Sequence, residues 1–446
     1  MASAAASKKV ELPRIEFVAD ARARGMIADC TDEAGLNTLA AERPVPAYIG
    51  FDATADSLHV GSLLPLLLLR RFQQAGHKPI AVVGGATGMI GDPSGKSQER
   101  NLLSTDILEK NLAGLREQMR RFLDFDAGSS AAVLINNFDW IGPFSYLEFL
   151  RDVGKNFPVN VMLAKDSVKS RLGRDDSGAD AGGLSYTEFS YMLLQAYDFV
   201  YLYDKFGCEI QVGGSDQWGN ITAGIDLARR MRGVQLYGLT CPLLTKSDGS
   251  KMGKTESGTV WLSAERTSPY QFYQYWIRVE DADVGKCLRM LTTLSRDEIE
   301  SLDEARTKDA AKRESQQHLA EELTRLVHGE AGLVAAQRAT EIFYGAEISD
   351  LSDAELVEIF ADVPSQQLTR QTLTDGGGLP IVDALVAAGL SKTKSDARRT
   401  IQQGGAYVNN RRIDGLDTRL TPADLASETV MVLRSGKRNY ALLRFT

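Results

Sequence analysis

The chain has 446 residues, of which 43% are hydrophobic and 25% charged, with a formal net charge of −8; that length exceeds one compact core and predicts two or three domains. No uncharged apolar stretch reaches the roughly 18–20 residues that span a bilayer, since LLPLLLL stops at Arg70 and Arg71, which excludes a helical membrane protein. Four cysteines at 30, 208, 241 and 287 and four histidines at 59, 77, 318 and 328 have no ligand spacing, which excludes a zinc ribbon or a disulfide scaffold and fits a reducing compartment.

The opening MASAAASKKVELPR lacks an apolar signal core and reads as a disordered leader, followed by a first helical segment up to residue 43. From 44 to 262, β-prone runs alternate with helices. AYIGF (47–51) reads as a buried strand, SLLPLLLLRRFQQAG as a helix closed by Gly76, and KPIAVVGG as the next strand. CEIQVGG (208–214) and QWGNITAGIDLARRM repeat the pattern, while GRDDSGADAGG (173–183) reads as a loop. Such alternation predicts an α/β fold with a Rossmann-like, doubly wound parallel sheet that binds ligands at the carboxyl ends of its strands. From 263 to 362 strand signals give way to charged amphipathic helices, and 363–378 reads as a linker. Residues 379–446 read as a small α+β unit. The stretch 391–446 carries eleven Lys and Arg against five Asp and Glu, so a basic tail follows an acidic body. A polyanion partner and a solvated surface fit that charge equally.

Five segments carry candidate chemistry. In GFDATADSLHVGS (50–62) small residues precede a helix N-terminus, an anion site to which Thr54 and His59 add donors; a structural junction is the competing reading. GDPSGKS (91–97) follows a strand as a P-loop would, but the Walker spacing needs a glycine where Ile90 stands. Pro93 has no N–H to offer and Asp92 would set a negative charge against a phosphate, so this is not an ordinary P-loop. In YMLLQAYDF (191–199) Gln195 and Asp198 lie about 40° and 20° to either side of Tyr191, at about 100° per residue. That polar stripe among apolar neighbours predicts either an internal hydrogen-bond network or a pocket for a small polar ligand. QVGGSDQWGN (211–220) offers close backbone approach and Asp216, either for ribose hydroxyls or as the cap of the next helix. KMGKT (251–255) sets two lysines on a glycine-rich loop that can clamp a polyphosphate, with an ordinary lysine-rich surface loop as the competing reading. The aromatic run YQFYQYW (270–276) reads as a packing helix and not as a base-stacking platform.

In this order the segments resemble the class I aminoacyl-tRNA synthetases, and within them the bacterial tyrosyl family. HVGS matches its His-Ile-Gly-His signature and KMGKT its Lys-Met-Ser-Lys-Ser signature, and GDPSGKSQER, YMLLQAYDF and GGSDQWGNIT match almost letter for letter. The tail GLSKTKSDARRTIQQGGAYVNNRRI resembles an RNA-binding module of ribosomal-protein type. The resemblance implies an ATP-dependent ligase that charges tRNA(Tyr), built as a catalytic domain with a dimer-interface insertion (44–262), a helical anticodon-side domain (263–362), the linker and the RNA-binding domain (379–446). It implies Tyr48 and Asp198 on the phenol hydroxyl of tyrosine, Asp92, Tyr191 and Gln195 on its ammonium group, and Gln217 near its carboxylate. For ATP it implies Thr54 and His59 at phosphates and Gly50, Asp52, Gly61, Ser62, Gly214 and Asp216 around the nucleotide. Lys251, Lys254 and Thr255 would form a second phosphate clamp, and Lys96 and Arg100 would close over pyrophosphate. It further implies Mg2+ arriving with ATP without a dedicated protein metal site, a homodimer, and a cytoplasmic location. Ser62 in place of the second signature histidine, and Gly253 and Thr255 in place of two serines, predict altered ATP contacts with both lysines still usable. Tryptophan activation on the same fold and a non-catalytic RNA-binding relative are the alternatives.

Overall fold

A computed structural model describes residues 17–94, 105–165, 168–169, 184–255, 258–348, 351–361, 363–437 and 439–446. The leader 1–14, Lys96, Arg100 and the loop at 173–183 lie outside the described residues. The described chain divides into two compact units, one ending at Val327 and the other containing Ser268–Gln274 and His328–Thr446.

The first unit is organised by a five-stranded sheet in the order β3-β2-β1-β4-β5, with β1 Pro46–Asp52, β2 Lys78–Gly84, β3 Val133–Asn136, β4 Ile210–Gly214 and β5 Tyr237–Cys241. Every pairing is parallel. This is the doubly wound α/β sheet that the alternating pattern predicts, and its order reverses between β1 and β4. The central strands read as continuous apolar runs because helices cover both faces; in β2 every residue after Lys78 is buried.

Helix α1 spans Phe17–Ala23, α2 Leu63–Gln74, α3 Tyr186–Phe206 and α4 Trp218–Arg232. The leucines of α2 at 63, 64, 66, 67, 68 and 69 are all buried, so this helix is apolar nearly all round and belongs to the interior. α3 starts at a capping box in which Ser185 and Glu188 satisfy each other's backbone N–H groups. Phe199 of α3 is fully buried and meets the ring of Tyr48 edge-on with centroids 5.3 Å apart, which sets the helix against β1.

A buried charge cluster anchors α2 from behind. Asp20 of α1 accepts from Arg24 at 3.0 Å and from Arg71 at 2.9 Å, and Arg71 also donates to the Thr292 carbonyl at 2.8 Å. Burial, with Arg24 adding to it, pulls the Arg71 guanidinium down to about 10.

The second unit holds a helix over Glu314–Phe343 from its break at Gly329 onward, a short helix over Asp353–Ile359, and a second five-stranded sheet. Its strands are β6 Ser365–Leu368, β7 Ala406–Val408, β8 Arg411–Arg412, β9 Val430–Ser435 and β10 Asn439–Phe445, in the order β8-β7-β9-β10-β6. Alternate residues of β9 and β10 fill two cores. Met431, Leu433, Leu443 and Phe445 pack with Ile381, Leu385 and Ile401, whereas Val430, Val432, Tyr440 and Leu442 pack with Ile342, Leu356 and Phe360. The segment expected to be a linker therefore contains an edge strand. β6 pairs in parallel with β10, Ser365 opposite Leu442 and Leu368 opposite Phe445. Its Ser-Gln-Gln sequence has no apolar period because backbone pairing with a distant strand, not burial of its own side chains, orders it.

Replacing Asp20 with alanine leaves two buried guanidinium groups without their carboxylate. Chemical denaturation should register a loss of about 3–5 kcal/mol in the first unit; a loss below about 1 kcal/mol would mean that the cluster does not anchor α2.

Candidate active site

The carboxyl ends of β1 and β4 open into a cavity of about 470 Å³, placed where the strand order reverses. A doubly wound sheet binds its ligand at that point. β1 contributes Tyr48, Gly50 and Asp52, β4 contributes Val212, Gly213 and Gly214, and α3 lends the stripe Tyr191, Gln195 and Asp198. A side chain on Gly50 would project into open space, so it is the lining and not packing that the glycine serves.

At the closed end sits the Asp198 carboxylate, 4% exposed. One oxygen accepts from the Trp140 indole N–H at 2.8 Å and the other from the Asn137 side-chain amide at 3.1 Å. Burial lifts this carboxyl to about 7 even though both hydrogen bonds favour its charged form; the charge of Asp52 adds to the rise. Beside it the Tyr48 hydroxyl is fully buried and has no hydrogen-bond partner among the described residues. Burial, and then the Asp198 charge, push that phenol well above its ordinary value. A buried hydroxyl and a buried carboxylate facing one cavity make a receptor for one polar group on an otherwise apolar ligand.

The middle of the cavity is a connected polar network. Gln217 donates to Asp92 at 2.6 Å, Gln195 donates to Gln217 at 3.2 Å, and Asn220 donates to Gln195 at 3.0 Å and to Gln217 at 3.1 Å. Asp92 also accepts the Ser94 backbone N–H at 2.9 Å, which turns the chain at GDPS. Tyr191 donates its hydroxyl to Asp52 at 3.3 Å. Both readings of the α3 stripe therefore hold at once, since the stripe is hydrogen-bonded internally and lines a pocket. Asp216 lines the cavity and does not cap α4, whose preceding residue is Gln217. Its carboxyl is raised by burial and by the nearby Asp92 charge, against the pull of Lys251.

The mouth is formed by the two signature segments, which backbone hydrogen bonds hold together. Val60 N–H donates to Val260 C=O at 3.0 Å, and Val260 N–H donates to Gly253 C=O at 2.8 Å. His59 accepts the Gly61 N–H on Nδ1 at 3.0 Å, so the neutral ring carries its proton on Nε2 as a donor. Desolvation lowers its pKa, and Lys254 and Lys251 lower it further. Gly253 has φ +83°, and a Cβ there would stand 2.9 Å from the Val60 Cβ. The glycine that stands in place of a signature serine is thus required by the conformation seen. Its N–H donates to the Tyr275 hydroxyl at 2.7 Å.

Of the residues expected at the site, Tyr48, Gly50, Asp52, Thr54, His59, Gly61, Ser62, Asp92, Tyr191, Gln195, Asp198, Gly214, Asp216, Gln217, Lys251 and Lys254 all line this cavity. Thr255 does not; its hydroxyl donates to the Gly258 carbonyl at 3.1 Å on an exposed hairpin. Lys96 and Arg100 lie outside the described residues. Sequence reasoning did not single out Asn137, Trp140, Thr87 or Asn220. Asn220 lay within a quoted motif, but nothing in the order of residues around NNFDW indicates that Asn137 and Trp140 will meet a carboxylate on α3.

The family described as "tRNA synthetases class I (W and Y)" matches residues 40–345, and the "Tyrosine--tRNA ligase SYY-like C-terminal domain" matches 355–443. The tyrosine–tRNA ligase of Rhodopirellula baltica is 60% identical over 96% of this chain and 96% of its own length. That of Bacillus caldotenax is 50% identical over 97% of this chain and the whole of its own. Among solved structures, a C-terminally truncated mitochondrial tyrosyl-tRNA synthetase from Aspergillus nidulans superposes with a TM-score of 0.65 at 31% identity, over 73% of this chain and 94% of that one. A tryptophanyl-tRNA synthetase from Encephalitozoon cuniculi, at 15% identity and TM-score 0.52 over 73% of this chain and 90% of that one, shares the fold alone. With the switch-point cavity, both signatures and these full-length relatives in agreement, the chain belongs to the class I tRNA synthetases, in their bacterial tyrosine–tRNA ligase branch.

Proposed function

We propose that the protein activates L-tyrosine with ATP to give tyrosyl-adenylate and pyrophosphate, and then transfers the tyrosyl group to the terminal ribose of tRNA(Tyr). The observation that carries the reading is the closed end of the cavity, where the partnerless Tyr48 hydroxyl and the Asp198 carboxylate await one more hydroxyl. A phenol can donate to Asp198 and accept from Tyr48, and it satisfies both at once.

The ammonium group of tyrosine then lies among Asp92, Tyr191 and Gln195, with Gln217 toward its carboxylate. Thr54 and His59 receive the ATP phosphates, Gly50, Asp52, Gly61, Gly214 and Asp216 surround the adenosine, and Ser62 adds a hydroxyl to the nucleotide site. Mg2+ travels with the triphosphate as part of that substrate. The tyrosine carboxylate attacks the α-phosphorus, the bond to the bridging oxygen breaks, and pyrophosphate carries away the electron pair. The nucleophile is already anionic, so the protein has only to align it in line and to meet charge on the phosphate oxygens. The Nε2–H of His59 and the ammonium groups of Lys251 and Lys254 suit that task; Thr255 is assigned to the clamp of those two lysines, and Lys96 and Arg100 are assigned to close over the pyrophosphate. In the second step a ribose hydroxyl attacks the carbonyl carbon and AMP leaves.

The basic C-terminal domain is assigned to the tRNA, whose phosphates favour such a surface. A homodimer is supported by apolar side chains left exposed on the 138–163 segment and the start of α3, among them Tyr146, Leu147, Val159 and Tyr186. Among the described residues no helix is long and apolar enough to cross a membrane. We assign the protein to the cytoplasm, where its tRNA substrate is used.

Tyrosine-dependent exchange of pyrophosphate into ATP tests the reading directly; exchange that requires tryptophan, or none with either amino acid, would end it. Asp198→Ala should lose most tyrosine affinity and its preference over phenylalanine, an argument for which this family is itself the stock illustration. The ionised Asp198 carboxylate is the form that accepts the phenol, so protons compete with tyrosine. Affinity should be constant above about pH 7, near the Asp198 value, and fall about tenfold per unit below it; a flat profile from pH 5.5 to 8.5 would remove Asp198 from the contact. Truncation after residue 375 removes β9 and β10 from the second unit. It should spare adenylate formation and abolish tRNA charging, whereas equal loss of both would contradict the modular assignment. Leu147→Asp should shift the sedimentation coefficient toward that of a monomer, and an unchanged oligomer would place the interface elsewhere.

A further inference from the structure

The orientation of Asp198 depends on Asn137, and what orients Asn137 is the less obvious question. Asn137 is 1% exposed and caps the end of β3 inside the protein. Its Oδ1 accepts the Ala86 backbone N–H at 2.8 Å, which directs Nδ2 away from that backbone. The two hydrogens of Nδ2 are then both used, one toward Asp198 at 3.1 Å and one toward the Thr87 hydroxyl oxygen at 3.0 Å. An amide nitrogen donates and never accepts, so Thr87 must be the acceptor in that pair.

Thr87 is 3% exposed and lines the cavity. It reaches this place because the residue before the turn is Gly84. A Cβ on Gly84 would come 2.4 Å from the Thr87 hydroxyl oxygen and 2.8 Å from Asp52 Oδ1, so only glycine lets the two side chains share that corner.

We propose that Thr87 is a positioning residue for amino-acid recognition: the Ala86 N–H sets which way the Asn137 amide faces, and the Thr87 hydroxyl accepts its second Nδ2–H and so holds the amide in place against the Asp198 carboxylate. The reverse orientation would set the amide oxygen against the carboxylate and the amide N–H against the Ala86 N–H. Valine has the shape of threonine without the acceptor, and it leaves one Nδ2–H of Asn137 buried and unpaired. The amide is then anchored by Ala86 and Asp198 only, with no third point to fix its tilt, and Asp198 loses part of the fixed geometry that selects a phenol. The effect should fall on the amino acid and not on the nucleotide, because none of the residues that meet Asn137 belongs to the signature segments.

The inference rests on the tyrosine-activation reading, and wild-type pyrophosphate exchange with tyrosine is the control that separates the two. Thr87→Val should raise the KM for tyrosine about tenfold, the scale of one lost buried hydrogen bond, and weaken discrimination against phenylalanine in proportion. KM for ATP and kcat should stay within twofold. Thr87→Ser, which keeps the acceptor, should restore tyrosine KM to within about threefold of wild type, on the same scale. In an Asn137→Ala background Thr87→Val should add nothing, since its route of action is gone. A tyrosine KM unchanged in Thr87→Val, equal rises for tyrosine and ATP, failure of serine to rescue, or a full additional effect in the Asn137→Ala background would each overturn the assignment. If wild type exchanges with tyrosine while these tests fail, only the role of Thr87 is lost; if wild type does not exchange, the functional reading fails first.

Discussion

A carboxylate buried in an apolar wall is costly unless donors reach both of its oxygens, and the site is arranged around that constraint at Asp198. Trp140 and Asn137 come from the segment after β3, whereas Asp198 comes from the middle of α3, so their bonds join two faces of the site. The Trp140 ring in turn stacks on Tyr201, one turn further along α3, at 4.5 Å and 10°. Those bonds fix the face that α3 turns to the cavity, and the partnerless Tyr48 hydroxyl lines the same space. Burial and hydrogen bonding oppose each other there, and the rise to about 7 shows that burial wins.

The rest of the cavity trades charge in the same way. Asp52, Asp92, Asp198 and Asp216 line a single space, and Lys251 and Lys254 stand exposed at its mouth. Amide side chains separate these carboxylates: Gln217 donates to Asp92, and Gln195 and Asn220 tie Gln217 to α3 and α4. An acidic interior with a basic entrance suits a ligand pair of which one brings an ammonium group and the other phosphates. The backbone ties through Val60, Val260 and Gly253 keep the entrance continuous with the start of α2, which the Asp20 cluster fixes from behind.

Much of this was legible in the chain. The apolar runs at 47–51, 78–85 and 208–214 announce buried parallel strands, and the spacing of Tyr191, Gln195 and Asp198 announces a single helix face. Local pattern failed where order comes from distant backbone. Ser365–Leu368 carries no apolar period, yet pairing with Leu442–Phe445 makes it a strand. Asn137 and Thr87 were also invisible, because a polar residue just after a strand looks the same whether it faces water or a polar side chain from a distant segment. Thr255, carried over from the second signature, turns its hydroxyl to the Gly258 carbonyl, a contact that no local pattern announces.

By itself the sequence determined the class of fold, the family, and about half of the residues that line the cavity, because periodicity and motif order depend on neighbours along the chain. Tertiary structure alone decided which donors hold Asp198, that Gly253 is obligatory at φ +83° against Val60, and that the second unit completes its sheet with an edge strand from the supposed linker. Those features depend on approach between segments dozens to hundreds of residues apart. Hydrogen-bond direction, the desolvation of a charge and the room for a Cβ are properties of that approach and leave no trace in local composition.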